Sequence, residues 1–177
     1  SNINNMIALA GFETQAYEYE LCELPIIRVP WTKRTGCGIF DGPFFGVLPL
    51  GFSNEYILYD PELSVLERSY GVFPKFKHDV AFYDAEDLRK KRFRTYIQKA
   101  KEFIPDMERC TYLYSSYITR IILPDHDNDD ARPTKVLNHG QGFWSIFSGK
   151  VSAAIPAAEH VTEEIHDYFN ENETHPV

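Results

Sequence analysis

Lys135–Tyr168, KVLNHGQGFWSIFSGKVSAAIPAAEHVTEEIHDY, decides how the rest of the chain is read. A short apolar strand leads into glycines at 140, 142 and 149. An apolar stripe follows at helical spacing: Val151, Ala154, Ile155, Ala158, Val161, Ile165 and Phe169. Strand, glycine-rich loop and helix in that order turn unpaired backbone N–H groups toward an anionic ligand atom. Pro156 falls inside the stripe, so the helix is either kinked there or begins nearer Ile155. Residues 170–177 have the composition of a frayed tail.

Upstream, the pattern changes from helical to alternating. Tyr17–Val29 opens with Tyr17, Tyr19 and Leu21 on one side and Glu18 and Glu20 on the other, which predicts a half-buried strand; Pro25 suggests an edge position or a bulge. Gly38–Pro49, GIFDGPFFGVLP, holds either a tight turn at Asp41-Gly42-Pro43 or a kink in one long strand. Glu55–Asp60 is a further strand, and the three together predict an antiparallel meander. Residues 62–83 have no clear pattern and read as an exposed excursion. A helix is expected over residues 84–104, capped by Asp84 and ended by Pro105. Its outer face carries Arg89, Lys90, Lys91, Arg94, Lys99 and Lys101, a solvated face or a dock for an acidic partner. Thr111–Leu123 is the longest strand candidate. Near the amino terminus, Asn4 or Asn5 could cap a short helix.

The expected fold class is therefore α+β, an antiparallel sheet with flanking helices. The domain expectation is a sheet-rich region over residues 1–134, a strand–loop–helix over 135–169, and a tail.

Composition narrows function. The 177 residues carry a net charge of −8 and are 44% hydrophobic, with 13 Phe and 11 Tyr. That balance disfavours nucleic acid and anionic membranes as partners and suits an apolar, ring-lined pocket for a small-molecule substrate. No apolar run approaches a membrane span. Cys22, Cys37 and Cys110 show no C-x-x-C spacing, so neither a disulfide framework nor a zinc site is expected, which fits a reducing, cytoplasmic setting. Asp125, Asp127 and Asp129 imitate the start of a calcium loop, but Asp130 stands where glycine is needed and Val136 where the closing glutamate belongs. No metal site is expected. Ser148-Gly149-Lys150 is not a phosphate loop either, because Trp144 replaces its first glycine and Val151 its magnesium-binding hydroxyl.

The same segment does match another motif. SGKVSAAIPAAEHV, preceded by a strand and a glycine turn, resembles the carboxy-terminal flavin motif of the FAD-dependent oxidoreductases related to D-amino-acid oxidase and glycerol-3-phosphate dehydrogenase. Ser148-Gly149-Lys150 and Ala158-Glu159 carry the resemblance. The GIFDGPFFGVLP pair is similar to that family's substrate-binding sheet, and Arg132-Pro133 to the pair before its last strand. The resemblance implies that FAD is the cofactor, met at its electron-rich edge by Ser148, Gly149, Lys150 and Val151 at the start of the last helix. It further implies that Gly140 and Gly142 let the preceding loop pass flat against the ring, and that Arg132 clamps a substrate carboxylate. His139 could serve as a base beside the ring or be only a hydrogen-bonded core residue. The family's G-x-G-x-x-G pyrophosphate fingerprint occurs nowhere in the sequence. The expectation is thus the carboxy-terminal part of a flavin enzyme, with a final strand and helix from an incomplete FAD-binding domain and an amino-terminal FAD-binding segment as its missing partner. The alternatives are a self-contained α+β module for a small ligand, or an interaction domain using the basic helix.

Overall fold

In the computed structural model, residues 2–40, 44–122, 134–147 and 151–173 are described. The fold is α+β, with an antiparallel sheet and flanking helices. β1 (Tyr17–Arg28) is its central strand. The sheet runs β2 (Cys37–Ile39), β3 (Phe45–Pro49), β4 (Tyr56–Tyr59), β1, β5 (Val65–Gly71), and β6 (Thr111–Ile122) also pairs with β1.

The GIFDGPFFGVLP stretch is two strands. Cys37↔Val47 and Ile39↔Phe45 set their register, so the stretch is a pair of strands and not one long kinked strand; residues 41–43, where the turn was expected, lie outside the described set. β3 and β4 continue the meander, but β1 joins on the far side of β4 through Ile26↔Ile57 and Ile27↔Tyr56. Pro25 is therefore not on an edge strand. It immediately precedes the first of these β4 pairs. The unpatterned stretch 62–83 contains β5 and two short helices, α2 (Pro61–Ser64) and α3 (Val80–Asp84).

β1 is not half-buried but covered on both sides. Glu20 and Glu23, each only 1% exposed, stand three residues apart and so project from opposite faces of the pleat. On one face Glu20 takes the Arg120 Nε at 2.9 Å and a second Arg120 nitrogen, with Arg68 3.1 Å away, while Arg120 also donates to the Tyr59 hydroxyl at 2.6 Å. On the other, Glu23 accepts from Arg92 and from the Ser115 hydroxyl. Arg92 belongs to α4 (Glu86–Ala100), which packs Tyr96 and Ala100 into a core of Ile27, Val29, Phe45, Val47, Tyr56, Leu58 and Met107. Tyr96 donates to Ser64 at 3.0 Å. Asp60, fully buried, caps α2 through the Glu62 and Leu63 N–H groups and pairs with Lys99 of α4 at 2.6 Å.

α4 is shorter than the spacing suggests. Ala85 sits at its cap position with no side-chain bond, and Asp84 instead holds Arg89 and the Tyr117 hydroxyl. A 3-10 turn, Pro105–Arg109, follows it.

The chain divides into two compact units, one of residues 19–69 and 74–120 and the other of 1–18, 70–73 and 121–177. The division falls within β1, β5 and β6, whereas the sequence pattern suggested a boundary at residue 134. The second unit contains α1 (Ile3–Leu9), the hairpin β7 (Lys135–Asn138) and β8 (Trp144–Phe147), and α5 (Ala154–Glu173), preceded by a 3-10 turn at Val151–Ala153. Asn2 is the cap residue of α1, and Asn4 is buried, donating to the Gln15 and Val72 carbonyls at 2.7 and 2.6 Å.

Removing one member of a buried ion pair strands its partner, at a cost of about 3–5 kcal/mol. Glu23→Ala is expected to lower stability by about that amount, and Glu23→Leu combined with Arg92→Met by less, in urea titrations followed by tyrosine and tryptophan fluorescence.

Candidate functional site

The apolar strand and the final helix form the walls of a cleft. α5 starts as α-helix at Ala154, so Pro156 occupies its first turn, where a missing N–H breaks no internal bond. The helix is not kinked at a mid-point; it begins late. Its first turns face β7 across an open cleft of about 480 Å³, lined by Thr134, Lys135, Val136, Leu137, Ala153, Pro156, Ala157 and His160. The floor is apolar, and the polar groups are one hydroxyl, one ammonium and one imidazole. An apolar cavity with a few convergent polar groups is the ordinary form of a small-molecule site.

His160 is held in place from behind. Its Nε2 lies 3.2 Å from Glu164 Oε1, one helical turn on, and Glu164 Oε2 accepts the Trp144 indole N–H at 2.7 Å. Tyr168 meets Trp144 edge-on at 5.7 Å. The helix therefore presents Ala157, Glu164 and Tyr168 to the hairpin, and the 3-10 turn before it adds Ala153 to the cleft. The sequence reading did not single out His160. The i,i+4 spacing of His160 and Glu164 was visible in it, but the Trp144 contact that fixes Glu164 needs the fold.

The expected site residues separate along the hairpin. Lys135 pairs with Phe147 at the end beside the helix start, and Asn138 pairs with Trp144 at the other, about 10 Å away at the usual rise of a strand. Gly140 and Gly142 lie beyond that far end, in a tight turn where Gly140, Gln141 and Gly142 all have positive φ (80°, 53° and 75°). The Phe143 N–H donates to the Gly140 carbonyl at 3.0 Å. These glycines are required by the left-handed turn, and the structure does not bring them to the start of α5. His139 flanks the same turn, 2.8 Å from the Ser145 hydroxyl, its ring 5.5 Å from both Phe12 and Phe143. That is the hydrogen-bonded packing role rather than a position beside the helix start. Val151 is at the helix start and exposed. Arg132, Ser148, Gly149 and Lys150 lie outside the described residues, as do Asp125, Asp127 and Asp129.

All three cysteines are free. Burial pushes the Cys22 thiol up from its usual range and the Cys110 thiol up to about 11, which leaves neither as a thiolate nucleophile near neutral pH. Among the described residues no grouping of His, Cys, Asp and Glu could hold a metal ion, and no helix is long and apolar enough to cross a membrane. On the basic face of α4, Arg89 pairs with Asp84, Lys90 with Glu86, Lys99 with Asp60 and Glu62, and Lys101 with Glu108. Most of that charge is thus met within the chain.

A second histidine–carboxylate pair, in the sheet-rich unit, is spent on its own loop. Glu67 accepts from Tyr83 at 2.6 Å, from the backbone N–H groups of Lys77 and His78 at 2.6 and 3.0 Å, and meets His78 Nδ1 at 2.7 Å. Led by the Tyr83 hydroxyl, these bonds hold its carboxyl down to about 2. Burial and the Glu67 carboxylate push Tyr83 up to about 12. Searches of known protein families, curated proteins and solved structures return no match to this chain.

A carboxylate bound more tightly in its ionised form lends stability above its unfolded pKa and loses it as pH falls through the folded one. The advantage of the native chain over Glu67→Gln is therefore expected to be full above about pH 4.5 and to shrink progressively toward about pH 2, read as urea midpoints across that range.

Proposed function

We propose that this chain supplies the substrate sheet and the final strand and helix of an FAD-dependent oxidoreductase that oxidises a small amine, amino-acid or hydroxy substrate. The observation that carries the proposal is the open cleft against the first turns of α5, at the place where the SGKVSAAIPAAEHV motif leads into the helix.

The residues present suit an isoalloxazine edge. Val136, Leu137, Pro156 and Ala157 offer an apolar wall for a planar ring. Lys135 supplies a positive charge at the rim, and the start of α5 brings the positive end of its dipole to the same cleft. Bound there, the flavin supplies the acceptor for the hydride that leaves the substrate. The chain's own contribution is electrostatic and positional. Lys135 and the helix start favour charge on the ring's electron-rich edge. The Trp144–Glu164 contact fixes the face of His160 turned to the cleft, so that His160 can take or give a proton at its rim. The roles that the resemblance implies for Arg132 and for Ser148–Lys150 belong to the same proposal, and Gly140 and Gly142 are assigned to the hairpin turn.

The pyrophosphate fingerprint is absent from the sequence, so the cleft is expected to take the ring rather than the whole dinucleotide. Lumiflavin titrated into the purified chain should show saturable fluorescence quenching, weakened about tenfold by Lys135→Glu, in keeping with loss of a charge-assisted contact. Absence of saturable quenching, or quenching indifferent to Lys135 and His160, would remove the flavin from this cleft.

A further inference from the structure

The basic face of α4 keeps one concentration of charge that the chain does not answer. Two rows of side chains run along the helix at i,i+4 spacing, Arg89–Phe93–Ile97 and Lys90–Arg94–Gln98, and span about 12 Å. Tyr112 of β6 forms the opposite wall at one end, its ring 5.0 Å from that of Phe93 and inclined to it by 61°. Met107, in the Pro105–Arg109 turn, closes the other end. Two adjoining cavities lie between. One, of about 300 Å³, is lined by Arg89, Lys90, Phe93, Arg94 and Tyr112. The second, of about 250 Å³, shares Phe93 and Arg94 with it and continues past Ile97 to Met107.

The first cavity brings three cations together with two aromatic rings and has no carboxylate in its walls. Arg94 is exposed and makes no ion pair among the described residues. Lys90 pairs with Glu86, but both side chains are more than half exposed, so that contact is worth little. Arg89 reaches the Asp84 carboxylate and carbonyl only at 3.3 Å, and its guanidinium carbon stands 5.4 Å from the centre of the Tyr112 ring. Its Nε is buried with no hydrogen-bond partner among the described residues. A buried donor without an acceptor is uncommon in a folded protein. A negative group at this rim offsets the charge of all three cations, and Arg94 is free to hold two of its oxygens side by side. Phe93 and Tyr112 offer a flat apolar body the ring contacts that aromatic groups prefer.

We infer that this groove is a binding site for a small aromatic acid, a planar ring system bearing a carboxylate or a phosphate. The acid group sits on Arg94 and Lys90, and the ring lies against Phe93 and Tyr112. A cavity of this size encloses one or two fused rings rather than a length of polypeptide. The site shares no residue with the cleft at α5 and does not depend on the flavin reading of that cleft.

Calorimetric titration of the intact chain with 2-naphthoate, 2-naphthyl phosphate and the neutral 2-naphthamide tests it, at about 0.15 M salt so that distant charges are screened. At least one of the two acids is expected to bind saturably with Kd of about 100 μM, a strength in keeping with a ligand of this size. The tighter of the two identifies the acid group, and the amide should bind at least about tenfold more weakly than that acid. Arg94→Glu, on an exposed side chain and so with an unchanged thermal melt, should weaken the acid by about tenfold or more. Arg28→Glu makes the same change of charge on an exposed residue outside the groove, and Lys135→Glu makes it in the α5 cleft; both should leave the affinity within about twofold. No saturable heat from either acid, an amide that binds as well as the acids, or a folded Arg94→Glu chain that binds as the native one does overturns the site. Loss of binding in Lys135→Glu but not in Arg94→Glu moves the acid to the α5 cleft and overturns it equally.

Discussion

The burial of Glu20 and Glu23 on the central strand is the constraint from which the sheet-rich unit follows. A carboxylate removed from water costs several kcal/mol unless cations and donors replace its hydration. Each of these two has its replacements supplied by segments far away in sequence. Glu20 brings Arg68 of β5, Arg120 of β6 and, through Arg120, Tyr59 of β4 to one face of β1. Glu23 brings Arg92 of α4 and Ser115 of β6 to the other. Slipping β1 by one residue would exchange the faces and leave both acids against the wrong partners, so the ionic contacts specify register where an apolar strand would tolerate several. Asp60 repeats the device on a smaller scale, joining the end of β4, the start of α2 and the side of α4 through one carboxylate.

That dependence explains how much could be read from the residues alone. Local periodicity marked β1, β6, α4 and α5, because each carries its pattern within itself. It assigned Glu20 to a solvent face because a period of two tells which residues share a side, not whether that side is covered. The cover comes from Arg120, 100 residues later. β5 went unrecognised for the same reason: Leu66, Glu67, Arg68 and Ser69 have little apolar alternation, and the strand exists because β1 offers it pairing partners and Glu20 offers Arg68 a charge. The late start of α5 was one of two options the proline allowed, and only the fold selects it.

The candidate site was legible in part. The glycines at 140 and 142 and the motif at 148–150 look continuous in sequence, since only seven residues lie between Gly140 and Ser148. β8 lies between them and carries the chain back along the hairpin, placing the two glycines at its turn and leaving Val151 at the helix start. Val136 and Leu137 were expected as a strand and became a cleft wall through the approach of α5. His160 entered only because Trp144 anchors Glu164, a contact between an indole and a carboxylate twenty residues apart.

The Glu67 clamp has a further consequence, for the loop it closes. Lys75 and Lys77 are exposed basic residues, yet their N–H groups are engaged by the Ser69 hydroxyl and the Glu67 carboxylate. A trypsin-like protease must draw several residues on either side of a lysine into an extended form, which requires those bonds to open first. Cleavage in this loop therefore reports how often the clamp lets go, and the lysines serve as a built-in gauge of local unfolding at the margin of the sheet.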